Sequence, residues 1–133
     1  MLGDFGKLML RLSIGILMLF HGINKITNGV GWIENQMIEM GLPAFLAWSV
    51  LIGEICAPIM LIAGFRVKIG ASLIALTMII AIILISKNGI IATTSSGGWI
   101  LELPVLYLIL SIVIFCLGGG KFGLEEFKVI KKK

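Results

Sequence analysis

The chain has 133 residues, 59% of them hydrophobic and 14% charged, with a formal net charge of +4 and a mean hydropathy of +1.11. A soluble domain carries roughly 25% charged residues, and one this small cannot hide so much apolar surface from water. Disorder is excluded by the apolar content, a disulfide framework by the presence of only two cysteines, and the length implies a single domain over residues 1–133.

Charge-free intervals set the elements. Residues 12–24 hold no fixed charge apart from His21, 40–65 hold only Glu54, and 69–86 and 103–120 hold none. Crossing a hydrocarbon core takes about 20 helical residues. The pattern therefore predicts an all-α integral membrane four-helix bundle, with helices near 7–26, 44–64, 67–86 and 98–117. Uninterrupted runs such as Ile79–Ile85 lack the alternation of a barrel strand. The first helix ends in His21, Gly22, Ile23, Asn24 and Lys25, without the small-residue cleavage site of a signal peptide, and is read as a mature helix. Within 27–43, Val30, Ile33, Met37 and Met40 recur at near-helical spacing before Gly41 and Pro43, which predicts a short helix lying in the interface.

Four spans put both termini and the 64–68 turn on one side, together with nine of the eleven basic residues; only Lys25 and Lys87 fall on the other. Basic residues mark the cytoplasmic face, so both termini are expected there. Trp32, Trp48 and Trp99 collect at the opposite interface, where amphipathic rings settle. The lipid bilayer is the expected partner, and the dispersed basic tail from Lys121 to Lys133 offers no docking face for nucleic acid.

Catalytic signatures such as HExxH, CxxC, GxSxG and the phosphate loop are missing from the sequence. His21, the only histidine, makes no metal site without partners. Ionisable residues inside the membrane remain, and such groups default to a functional role. Glu54 falls near the bilayer midplane and must be neutral or face a cation. His21 and Lys25, four apart on one helix face, and Glu102 share the outer half with it. Pro58 follows Glu54 by four and so removes the amide that would bond the Glu54 carbonyl. Gly15 and Gly22 allow another helix to approach closely. Arg11, one turn inside the first helix, is expected to snorkel outward as a cytoplasmic-side anchor.

These residues resemble the DoxX family of small membrane proteins (DoxX/DoxD-like). The pieces are Arg11-x-x-x-Gly15, His21-Gly22-x-x-Lys25, Gly41-Leu42-Pro43, Gly53-Glu54, Gly64-x-Arg66, Glu102, and the exit Gly118–Gly120. The tail continues Lys121-Phe122-Gly123-Leu124-Glu125, with Glu where the family pattern has Asp. The resemblance implies a multi-pass protein of a bacterial or archaeal plasma (inner) membrane, related to subunits of a quinone-linked oxidoreductase. On that expectation a quinone head group sits in the outer half of the bundle, near His21, Lys25, Glu54 and Glu102. No cofactor is attached covalently, and the electron carrier belongs to a partner in a redox complex. Two other readings stay open: a non-enzymatic scaffold recruiting redox or stress enzymes, and a small proton-coupled transporter built as a homo-oligomer.

The orientation is testable by labelling single cysteines in a cysteine-free background with an impermeant maleimide. Gly29→Cys and Ser95→Cys are expected to label in intact cells, and Asp4→Cys only after permeabilisation; the reverse pattern refutes it.

Overall fold

The computed structural model describes residues 1–87, 89–125 and 131; Lys128, Lys132 and Lys133 of the basic tail lie outside the described residues. Among the described residues five helices follow one another: α1 (Leu2–Asn28), α2 (Gly31–Glu39), α3 (Leu46–Ala63), α4 (Val67–Ser86) and α5 (Glu102–Leu117). Three of them, α1, α3 and α4, are long and apolar enough to cross a membrane, and α5 is a shorter apolar helix. Outward faces are apolar as well, with Leu17, Phe20, Leu76, Ile83, Ile109 and Ile112 all exposed, as helices bathed in lipid require. The architecture is a helical membrane bundle.

Two elements differ in extent from the sequence expectation. The first helix starts at Leu2 rather than near residue 7. The last starts at Glu102 rather than near 98, because the preceding residues are drawn into a small hairpin. There Thr94 N–H donates to Gly98 O (2.8 Å) and Ile100 N–H to Ala92 O (2.9 Å), while Trp99 Nε1 donates to Ile90 O (2.5 Å). The bundle thus has a hairpin end, carrying α2 and residues 89–101, and a turn end, carrying Gly64–Arg66 and the exit segment after Leu117.

Packing follows the small residues. Ile14, Met18, Ala57, Leu61, Ala71, Ile74, Met78, Tyr107 and Ile114 form the main core. At the hairpin end Val30, Ile33 and Met37 of α2 close over Ala47, Val50 and Leu84, and Trp48 Nε1 donates to Glu34 Oε1 (2.8 Å). At Gly15 an added Cβ would lie 3.0 Å from Pro58 O, and at Gly22 it would run into the Glu54 carbonyl. These glycines bring α1 against α3. At Gly53 the obstacle is Thr77 of α4, whose hydroxyl donates to Leu73 O (2.9 Å).

The α3 helix is irregular where it matters. Ile52–Cys56 is a π-helical turn, in which the Ala57 N–H bonds Ile52 O, five residues back. Pro58 has no N–H to give to the Glu54 carbonyl, so the regular ladder fails there and one wide turn takes up the difference.

The Gly22 contact yields a signed prediction. In an open helical position Gly→Ala gains helix propensity, up to about 1 kcal/mol. Gly6→Ala, with nothing within 4 Å of the new methyl, is expected to leave the thermal midpoint equal or raised. Gly22→Ala is expected to lower stability by about 1–3 kcal/mol, the usual cost of overpacking. Equal midpoints for the two variants in the same detergent would refute the close approach.

Candidate functional site

The site starts from the α3 irregularity. The π turn carries Glu54 near the middle of α3, where the residue is only 3% exposed. Lys25, one turn beyond Gly22 on α1, reaches it: Nζ donates to Glu54 Oε1 and forms an ion pair between the two helices. The Gly22 contact with the Glu54 carbonyl sets this approach. A lysine side chain 26% exposed and a glutamate side chain 4% exposed make the pair one-sided, open at the ammonium and shut at the carboxylate. The second carboxylate oxygen, Glu54 Oε2, is buried with no hydrogen-bond partner among the described residues. A buried acceptor left in this way is costly, and it marks the pair as able to take a further donor.

The pair forms the floor of a cavity of about 530 Å³. His21, Lys25, Glu54 and Glu102 all line it, so the structure brings these four residues to one space. Met18, Met78, Ala81 and Ile85 supply apolar walls, and Thr94, Ser96 and Gly98 a small polar mouth at the hairpin end. Tyr107 adds a further polar group: its ring meets His21 edge-on, with centroids 6.1 Å apart and an interplanar angle of 87°. The cavity therefore holds an imidazole, an ammonium, a phenol and two carboxylates, set in apolar walls. Its formal charges, one cation and two carboxylates, favour a neutral or cationic occupant over an anion. Among the described residues no group of three or more His, Cys, Asp or Glu is placed to hold a metal.

Arg11 stands apart, at the turn end. It was expected to reach outward, but it is 1% exposed and turned inward. NH2 donates to Phe122 O (2.6 Å), while Nε and NH1 are buried with no partner among the described residues. Added Cβ atoms at Gly64 and Gly123 would lie 2.5 and 3.1 Å from NH1, so these glycines let the turn and the exit segment close over the guanidinium. The cause is the cover that the Gly64 turn and the exit segment place over it: NH1 lies against Gly64 and Gly123, and the Phe122 carbonyl accepts from NH2.

Tyr107 and the hairpin mouth were not singled out from the sequence. Tyr107 is the only tyrosine of the chain, on an otherwise apolar helix five residues after Glu102, and that isolation was the available signal. The mouth depends on the 94–100 backbone bonds and leaves no mark in composition.

The DoxX family model matches residues 6–87, which hold α1 to α4 and with them His21, Lys25 and Glu54. The chain belongs to the DoxX family. A Bacillus subtilis (strain 168) protein named "Putative oxidoreductase CatD" is 29% identical over 131 residues, covering 98% of this chain and 92% of that protein. No solved structure matches significantly.

The one-sided burial of the ion pair predicts a non-additive result. Removing one partner of a buried pair costs about 3–5 kcal/mol, whereas replacing both by apolar residues is often neutral. Lys25→Met alone is expected to lower the thermal midpoint in detergent more than the Lys25→Met/Glu54→Met double variant. If the double variant loses at least as much as the single, Glu54 does not depend on Lys25.

Proposed function

We propose that this DoxX-family membrane protein is the quinone-binding subunit of an oxidoreductase, with the quinone head group held in the cavity over Lys25 and Glu54. The reading is carried by one observation: hydrogen-bond donors, a buried carboxylate with a free oxygen and apolar walls converge on a single cavity at the hairpin end. Ligand sites of this kind measure about 300–1,000 Å³ and are mostly apolar with a few convergent polar groups; at about 530 Å³ this one accommodates a substituted ring. The charge balance supports the same choice, since a quinone is neutral and many alternative small redox substrates are anions.

A bound quinone supplies a couple of two electrons and two protons. This chain's residues do the rest. His21 and Lys25 donate hydrogen bonds to the ring oxygens and orient it. Glu54 and Glu102 exchange protons, Glu54 at the floor and Glu102 beside the polar mouth. Protons reach them from the hairpin end, past Thr94 and Ser96. The electrons come from a partner protein bearing a flavin, haem or iron–sulfur centre, for which this chain has too few ligands. The name of the Bacillus subtilis relative agrees with an oxidoreductase role. The basic residues at the turn end support a cytoplasmic position for that end in a bacterial or archaeal cell, with the cavity then in the outward half of the plasma membrane.

The test is binding of a quinone analogue to the purified protein, followed by fluorescence quenching of the native tryptophans. Hydrogen bonds to charged groups are worth about 1.5–3 kcal/mol, so Glu54→Gln and His21→Leu are each expected to weaken binding by about tenfold or more, with circular dichroism unchanged. Absence of binding to the unmodified protein, or equal affinity in the folded Glu54→Gln variant, sinks this reading.

A further inference from the structure

The helices α1, α3, α4 and α5 form a ring in that order, and the seam that closes it, between α1 and α5, is the sparsest of the four. Toward the turn end that seam is closed by Ile14 of α1 and Ile114 of α5, both in the main core, and midway the Tyr107 ring of α5 meets His21 of α1 edge-on. Toward the hairpin end it opens. On the α1 side His21 is exposed; on the α5 side Leu103 and Leu106 are 45% and 49% exposed. All three also line the cavity. Leu103 and Leu106, three apart, share one face of α5, on the first turns of that helix after the polar mouth.

The geometry points to a side door: the cavity admits its ligand laterally, from the bilayer between α1 and α5, and the ligand is a lipid whose polar head meets Lys25 and Glu54 while its apolar tail lies along Leu103 and Leu106. The inference rests on the proposed quinone reading and narrows it to tailed, membrane-dissolved quinones. The two openings then have separate tasks. The mouth at Thr94, Ser96 and Gly98 is polar and suits water and protons. The seam is apolar below His21 and keeps a hydrocarbon chain in hydrocarbon, whereas passage through the polar mouth would expose it to water at about 0.8 kcal/mol for each methylene. Leu106 becomes a specificity-determining residue, because it borders the tail and not the ring.

The experiment uses the full chain in lipid nanodiscs with two probes, a decyl-tailed benzoquinone and the same ring without a tail. Leu106→Trp narrows the seam, Leu103→Phe does so more gently where the first variant fails to fold, and Ser96→Trp narrows the mouth. The expected result is that Leu106→Trp or Leu103→Phe lowers the ratio of tailed to tail-less affinity by about tenfold. A photoreactive group at the tail terminus is expected to label α1 and α5 peptides around Leu106. The side door is overturned if Ser96→Trp, and neither seam variant, weakens the tailed probe, or if the label falls on 94–98. In that case Glu54-dependent binding of the tail-less ring still upholds the quinone reading. Absence of binding by both probes to the unmodified protein overturns both.

Discussion

One ion pair organises this membrane protein. A carboxylate in the middle of an apolar helix is expensive, on the order of 2.5–3.5 kcal/mol at the bilayer centre on insertion scales, and Glu54 is almost wholly buried. Lys25 answers that charge from another helix, and much of the local sequence serves the meeting. Gly22 lets the α1 backbone come up against the Glu54 carbonyl, Gly53 admits Thr77 behind it, and the π turn over Ile52–Cys56 presents the carboxylate. Any one of these positions looks ordinary in isolation. Together they hold an ammonium and a carboxylate in contact with an open space rather than sealed in a core.

The same pair explains why the cavity is chemically asymmetric. The ammonium side is open and the carboxylate side is closed, with Oε2 unpartnered among the described residues. A structural bridge whose sole task is to join two helices has no need of an open cavity of about 530 Å³ lined by a histidine, a tyrosine and a second glutamate. The far end of the bundle makes a useful contrast. Arg11 is as deeply buried as Glu54, but close-packed glycines and the exit segment cover it. Its side chain holds that segment down through Phe122 O.

Much of this was legible in the residues. Charge-free intervals located the spans because lipid tolerates little else, and Pro58 four residues after Glu54 announced a break in the helix ladder. Gly15 and Gly22 announced a close helix approach, and the structure shows that the partner is α3. The remainder depended on three-dimensional facts. Arg11 is buried because the exit segment folds back over it and accepts its hydrogen bond at Phe122 O, a return of the chain that spacing along α1 does not reveal. The hairpin at 89–101 shortened α5, because a Thr- and Ser-rich stretch reads equally as loop or helix cap. Tyr107 joined the cavity through the rotation of α5 against His21, which spacing alone does not fix. Membership of the DoxX family rests on residues 6–87, and Glu102 and Tyr107 lie beyond that matched stretch.

The most direct test of this account is a solid-state NMR measurement of the separation between the Lys25 side-chain nitrogen and the Glu54 carboxyl carbon in lipid bilayers, before and after addition of a quinone analogue. The account predicts a strong dipolar contact in the ligand-free protein and a shifted carboxyl resonance once the analogue is present. Absence of the contact, with the Glu54 carboxyl instead showing cross-peaks to lipid chains, would contradict it.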